Sequence, residues 1–325
     1  MPLLEVADLR VRFSRRERIT QAVAGVDLSV EKGEMLGLLG ESGCGKSVTL
    51  RSIMKLLPER GTTIDGRIRI DGLDILSASP DTLRRTRGPK VAMIFQEPLT
   101  ALDPVATIGN QIAEVLIVHE GLSRAAARAR AKELLDLVQI PMAGRRIDSY
   151  PHELSGGLRQ RAMIALAIVC KPLLLLADEP TTALDATVQI QILLLLRKLQ
   201  SELGMAAIVV THDIGVAAEI SDRVAIMYGG QIMESGPASD VLTAPAHPYT
   251  RALLGATLRP GVRGRPLNVL KGSPPDLSRP LHGCRFAERC VYRMDFCTAA
   301  DPSLVPLADG RTVRCCRVGS LPDAM

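Results

Sequence analysis

The 325-residue chain carries 40 Lys and Arg against 35 Asp and Glu, a net charge of +5, with 46% hydrophobic residues, the composition of a soluble globular protein of about two domains. Its apolar runs, such as residues 163–170 and 192–196, fall far short of the roughly 18 residues that cross a bilayer, and Glu5 and Asp8 sit where a signal peptide needs basic then apolar residues. Only eight residues are aromatic, which argues against a base-stacking platform for single-stranded nucleic acid, and a cytosolic chain keeps its thiols reduced, so a cysteine cluster points to metal or reactivity before disulfides.

Charge and proline are unevenly placed. Residues 251–325 hold a net charge of +6 and 8 of the 21 prolines, while residues 1–250 have a net charge of −1. This shift places a boundary near residues 245–260, and the scattered basic residues of the tail read as a solvated surface.

In chain order, alternation predicts a strand near residues 4–11. A short apolar strand follows at 35–39 and runs into a glycine-rich loop, then a helix over 47–57 that Pro58 stops. A strand is expected at 68–70, and buried parallel strands at 91–95, 173–177, 206–210 and 224–227. Residues 97–160 carry helical patterns and no good strand, so a helical insertion is expected there. Within it Ser123 is placed to cap a helix that ends before Pro141. The strand–helix alternation implies an α/β fold with a parallel sheet.

The loop at 40–47, GESGCGKS, fits the phosphate-loop pattern at every fixed position and lies between strand and helix, as that chemistry requires. Gly40, Gly43 and Gly45 let the backbone curl so that its N–H groups, with Ser42 and Cys44 in the same turn, face phosphate oxygens at a helix N-terminus. Lys46 is placed to reach the β- and γ-phosphates and Ser47 to bind Mg²⁺. A second motif, LLLLADEP at 173–180, ends a strand in two carboxylates. Asp178 would hold Mg²⁺ directly or through water, and Glu179 would polarise the attacking water.

LSGGLRQR at 154–161 precedes that acidic motif, and with it the chain resembles the ATP-binding subunits of ABC transporters. The resemblance implies a P-loop α/β core of mixed and parallel sheet with an antiparallel β portion and a helical signature subdomain. It implies that Ser155, Gly156 and Gly157 bind the γ-phosphate of ATP held by the opposite subunit, so that two subunits sandwich two ATP molecules. Gln96 matches the loop that senses Mg²⁺ and contacts the membrane subunits. Asp185 matches the loop that crosses the dimer interface. His212, 33 residues after Glu179, matches the switch histidine. Phe13 lies where the family places an aromatic against adenine, although a strand phenylalanine also reads as core. Leu158 stands where many members have glutamine, and no catalytic position is lost.

The branch is read from AHPYTRALLGATL at 246–258, GCRFAERCVYRMDFC at 283–297 and RTVRCC at 311–316. These resemble the C-terminal extension of dipeptide and oligopeptide importers, as do YPHELSGG at 150–157 and DEPTTALDATVQ at 178–189. The domains expected are an ATP-binding domain over 1–250, with its helical subdomain at about 97–160, and an extension over 251–325. Related importers carry nickel chelates, glutathione or other small solutes. The implied partners are a second ATPase, identical or related, two membrane permeases and an extracytoplasmic binding protein, at the cytoplasmic face of the membrane. A soluble ABC ATPase acting on nucleic acid or ribosomes is the alternative from another class, and the near-neutral core offers no basic footprint for it.

Cys284, Cys290, Cys297 and Cys315 lack C-x-x-C spacing, so a common zinc ribbon does not fit. Four thiolates can still converge on tetrahedral zinc or on an iron–sulfur cluster, and free or structural thiols are a third reading. The resemblance favours a 4Fe–4S cluster, with Arg285, Arg289 and Arg293 offsetting its charge and Cys316 spare. Cys44, at a helix N-terminus that lowers thiol pKa, reads as either oxidation-sensitive or a tolerated small residue, and Cys170 as core.

Overall fold

The computed structural model describes residues 1–15, 18–182, 184–256 and 270–321. The elements are β1 (Leu4–Arg15), β2 (Arg18–Val30), β3 (Met35–Leu39), α1 (Lys46–Ile53), β4 (Thr62–Ile70), β5 (Leu73–Asp74), α2 (Pro80–Thr86), β6 (Val91–Ile94) and α3 (Pro98–Ala101). There follow α4 (Ile108–Glu120), α5 (Arg124–Leu137), α6 (Ala143–Arg146), α7 (Gly156–Ile168), β7 (Leu174–Asp178), α8 (Ala186–Leu203), β8 (Ala206–Thr211) and α9 (Ile214–Ile220). The chain closes with β9 (Arg223–Tyr228), β10 (Gln231–Pro237), α10 (Ala238–Thr243), α11 (Pro248–Gly255), β11 (Val305–Pro306) and β12 (Thr312–Val313). It forms two compact units, one of residues 1–4, 29–35 and 69–210, the other of residues 5–28, 36–68 and 211–325.

In the first unit β6, β7 and β8 run parallel, with Val91 opposite Leu174 and Leu174 opposite Ala206. Every residue of these strands is buried, which is why each reads as an apolar run rather than an alternation. Residues 97–160 form helices and no strand. Side chains start two of them: Thr107 accepts from the Asn110 N–H, and Ser123 accepts from Ala126 N at 3.3 Å. The α5 helix ends at Leu137, before Pro141.

In the second unit β3 pairs parallel with β9, β9 antiparallel with β10, and β10 with β12 of the C-terminal extension. A separate sheet sets β1 between β2 and β4. The buried residues of β1 are Leu4, Val6, Leu9 and Val11. The alternation slips by one at Asp8, whose φ of 46° marks a bulge there. The helix expected over 47–57 ends at Ile53, because Lys55 turns to a φ of 50° two residues later. The apolar residues that follow belong to the exit turn.

Candidate functional site

The phosphate loop leaves β3, whose five residues are all buried. Gly40, Gly43 and Gly45 have φ values of 150°, 77° and 109°, which side-chain-bearing residues rarely adopt. Space is restrictive as well as torsion. A Cβ on Gly40 would lie 2.1 Å from the Met227 carbonyl oxygen, and one on Gly45 would lie 2.5 Å from that of Ala22. Lys46 begins α1, and its ammonium lies inside the curl, donating to the carbonyls of Gly40 at 2.7 Å and Glu41 at 2.9 Å. Ser42 and Gly43 are exposed at the mouth, and Ser47 is half-buried in the first helical turn.

Cys44 is 5% exposed, and burial pushes its thiol up, outweighing the Lys46 ammonium 3.8 Å away. The lowering expected from the helix N-terminus is therefore reversed by desolvation. Cys170 is half-buried at the end of its helical segment, with its thiol pushed up by burial to about 11. Phe13 lies, with Arg15, Arg18 and Thr20, along an open groove of about 510 Å³. Arg18 is steadied there by Ser278 at 2.6 Å. His212 is exposed in the turn where β8 hands over to α9, and the next residue, Asp213, caps that helix by accepting from Val216 N.

The residues expected in the first unit also stand at element ends. Asp178 closes β7 and is fully buried. Glu179 follows with a φ of 47°, a left-handed turn that costs a non-glycine residue on the order of 1 kcal/mol and turns the chain sharply out of the strand. Its Oε2 accepts from Gln96 Nε2 at 3.2 Å and from Thr182 Oγ1 at 2.9 Å. Gln96 lies just past β6. Ser155 and Gly156 are exposed at the start of α7, and the Ser155 hydroxyl makes no cap to that helix, which leaves it and the first N–H groups available to an anion. A Cβ on Gly157 would meet Val188 Cγ1 at 2.9 Å. Asp185 is exposed and caps α8 by accepting from Val188 N at 3.0 Å.

In the extension, Cys284, Cys290, Cys297, Cys315 and Cys316 line one cavity of about 20 Å³, with His247, Phe286 and Arg317 among its walls. All are free thiols. Burial pushes Cys284 up to about 12, and Cys290 and Cys315 upward. Among the described residues no group of three or more His, Cys, Asp or Glu has the arrangement to hold a metal ion. Two of the three arginines expected to offset a cluster's charge are otherwise engaged. Arg289 pairs with Glu41, Arg285 donates to Gly229 O at 2.8 Å, and Arg293 is exposed. The backbone N–H of Arg317 does meet a thiol, donating to Cys315 Sγ at 3.4 Å.

The His-Pro-Tyr segment has a structural assignment. The Glu234 carboxylate, buried on β10, accepts from the N–H groups of Ala246 and His247. His247 Nδ1 caps α11 by accepting from Tyr249 N, and Pro248 occupies the first turn. Tyr249 Oη then accepts from Glu41 N of the phosphate loop at 3.0 Å. Sequence reasoning missed Glu41, Thr182, Tyr249 and Arg317. All four sit in or beside motifs the sequence displays, Glu41 within the phosphate loop, Thr182 after the acidic pair, Tyr249 in the His-Pro-Tyr segment and Arg317 next to the last cysteines, but none occupies a position whose chemistry those motifs define.

A strand–loop–helix phosphate cradle, a strand ending in Asp-Glu and Ser-Gly-Gly at a helix start together define a P-loop ATPase of the ABC class. The ABC transporter family profile matches residues 23–182, and that for the oligopeptide/dipeptide transporter C-terminal region matches residues 233–297. The chain is 48% identical to the probable peptide ABC transporter ATP-binding protein y4tR of Sinorhizobium fredii, over 97% of this chain and 95% of that protein. It is 46% identical to the dipeptide transport ATP-binding protein DppD of Bacillus subtilis, over 96% and 94%. Among solved structures, a dimeric post-hydrolysis state of the ATP-binding cassette MJ0796 bound to ADP and Pi matches with a TM-score of 0.65 and 31% identity, over 72% of this chain and 98% of that one. The chain belongs to the ATP-binding proteins of ABC transporters.

Two predictions follow from these local geometries. Gly40→Ala forces a Cβ against the Met227 carbonyl, so nucleotide affinity falls by at least about tenfold in a fluorescent-ATP titration. Wild-type affinity would show that the loop tolerates the side chain. Burial also holds His247 down to about 3 from 6.5. The unfolded chain gains this proton near pH 6.5 and the folded chain does not, so the contribution to stability is intact above pH 6.5 and lost as pH falls toward 3. Urea unfolding of wild type and His247→Asn at pH 7 and pH 5 isolates this term. Wild type loses about 2 kcal/mol more than the variant over that interval, and parallel losses would contradict the assignment.

Proposed function

We propose that this chain is the ATP-hydrolysing subunit of an ABC importer of dipeptides or oligopeptides, with residues 1–250 as the ATP-binding domain and 251–325 as the peptide-importer extension. One observation carries the reading: an intact set of ATPase motifs stands on the same chain as the oligopeptide/dipeptide transporter C-terminal region. The names of relatives at 46–48% identity, which refer to peptide transport, support the cargo.

In this reading the phosphate-loop N–H groups and Lys46 bind the β- and γ-phosphates, and Phe13 meets the adenine in its groove. Glu179 takes the proton of the attacking water or orients it for in-line displacement of the γ-phosphoryl. Gln96 and Thr182 hold one oxygen of that carboxylate and so fix its direction. His212 contacts the γ-phosphate. Ser155, Gly156 and Gly157 bind the γ-phosphate of ATP held by a second ATPase subunit, and Asp185 lies at that subunit interface. The oxygen donors Ser47, Asp178 and Gln96 fit Mg²⁺, a hard cation, which when bound neutralises phosphate charge.

The remaining partners are two membrane permeases and an extracytoplasmic binding protein. The proposed location is peripheral, at the cytoplasmic face of the membrane; no described helix is long and apolar enough to cross a membrane. The dimeric state named for the cassette MJ0796 supports a paired ATPase. Among the described residues the thiols are not arranged to hold a metal ion, so the 4Fe–4S cluster proposed for Cys284, Cys290, Cys297 and Cys315 would require them to draw together on binding. Convergence on one cavity and soft thiol chemistry support that donor set, and a cluster there would replace part of a hydrophobic core.

Glu179→Gln in the assembled transporter should lower ATP turnover at least about 100-fold while ATP stays bound. Turnover equal to wild type, or stimulation by DNA instead of a peptide-loaded binding protein, overturns the function. The cluster is tested separately by anaerobic purification. About four iron atoms per chain with brown absorbance are expected, and a colourless, iron-free protein refutes it.

A further inference from the structure

Glu41 is the second residue of the phosphate loop, and phosphate chemistry makes no use of its carboxylate. Both its oxygens are nevertheless held. Arg289 Nη1 donates to Oε2 at 2.7 Å and Nη2 to Oε1 at 3.0 Å. The Arg289 side chain is 5% exposed and that of Glu41 25%, so this is a desolvated, two-pronged ion pair and not a surface contact. The guanidinium is immobilised on its other sides. It donates to Tyr228 Oη at 3.1 Å and to Lys271 O at 3.0 Å, and lies 5.6 Å over the Tyr228 ring. The backbone N–H of Glu41 is taken by Tyr249 Oη at 3.0 Å.

A second connection reaches the other side of the loop. Arg285 donates to the carbonyl of Gly229, and the next residue, Gly230, donates its N–H to Cys44 O at 2.9 Å. Arg285 and Arg289 flank Phe286, which packs against the rings of Tyr228 and Tyr249 at 5.4 Å and 5.3 Å. One short stretch of the extension, residues 284–290, therefore grips both flanks of the loop.

We propose that Arg289 is a positioning residue for ATP binding: acting through Glu41, and supported by Tyr249 and Arg285, it holds the phosphate loop in the curl that receives the nucleotide. The extension is then part of the architecture of the nucleotide site. This rests on the reading of residues 40–47 as the ATP phosphate site. A bidentate pair at low exposure fixes a direction as well as a distance. That is what a loop whose N–H groups must converge on phosphate oxygens needs, since small misplacements of binding groups are costly.

The test is a titration of the full chain with a fluorescent ATP analogue and Mg²⁺, together with ATPase kinetics. Arg289→Ala should raise Kd and KM by about tenfold while kcat at saturating ATP changes less than about twofold. Arg289→Lys should fall between it and wild type, because an ammonium cannot engage both carboxylate oxygens at once. Glu41→Gln should match Arg289→Ala, and the double variant should be no weaker than the weaker single, the signature of a shared interaction. Lys46→Ala tests the underlying site and should abolish binding. If Lys46→Ala abolishes binding while Arg289→Ala binds as wild type, the positioning role falls and the ATP site stands. Additive losses in the double variant also overturn the proposal. If Lys46→Ala binds as wild type, the site reading itself fails. Should Arg289→Ala fail to fold, wild-type affinity in both Glu41→Gln and Arg289→Lys overturns the role.

Discussion

The second unit is organised around one constraint: eight consecutive residues, 40–47, must curl so tightly that three of them have positive φ. Within the curl the backbone bonds weakly to itself, from Cys44 N–H to Glu41 O at 3.4 Å, so its other polar groups need partners from outside. The surrounding elements supply what the loop lacks. The fully buried β3 delivers it at a fixed height, and α1 begins at Lys46 to carry it away. The Met227 and Ala22 carbonyls close on Gly40 and Gly45, leaving no room for a side chain. Gly230 N–H satisfies Cys44 O, and Tyr249 Oη satisfies Glu41 N–H.

The first unit solves a related problem with charge. Asp178 ends a strand whose other residues are Leu174–Ala177, all buried, so the carboxylate arrives in a fixed place with no freedom to swing. Glu179 then leaves by a left-handed turn, and Gln96 and Thr182 share one of its oxygens. The strained torsion and the two donors belong together. The turn directs the carboxylate out of the sheet's line, and the hydrogen bonds keep it in that direction. Backbone strain at such a carboxylate is what pre-organised chemistry would look like.

How far the sequence revealed this depended on the range of each interaction. The phosphate loop, the acidic strand end, Ser155 to Gly157 and the Ser123 cap were legible because each is a local rule: a fixed spacing within a few residues and one element boundary. The parallel strands were legible as apolar runs because they are buried on both faces. The bulge at Asp8 and the early end of α1 at Ile53 were not, since each rests on a single residue, Asp8 or Lys55, entering left-handed space under tertiary control. The Arg289–Glu41 pair is 248 residues apart in sequence. No periodicity records a contact of that kind, and an arginine in a tail of net charge +6 looks like solvated surface. Arginines adjacent to Cys284 and Cys290 suggested charge balance for the thiols, whereas burial beside Tyr228 turned Arg289 toward the loop.

The scarcity of aromatics sharpens the same point. Of eight in the chain, Tyr228, Tyr249 and Phe286 are almost fully buried and in mutual contact, with ring centroids 4.5 to 5.4 Å apart. They come from β9, α11 and the cysteine-bearing segment, three stretches separated in sequence. An extension of this length cannot bury a core of its own, so it borrows one, placing Phe286 on rings presented by the neighbouring strand and helix. The same rings carry the polar handles that reach the phosphate loop: Tyr249 to the Glu41 backbone and Tyr228 to Arg289. Packing the tail and shaping the loop are thus one structural act, since any change that loosens Phe286 releases the groups that hold Glu41. Aromatic side chains suit this because each combines a large apolar body, able to order a proline-rich segment, with a phenol that can satisfy a polar group at its edge.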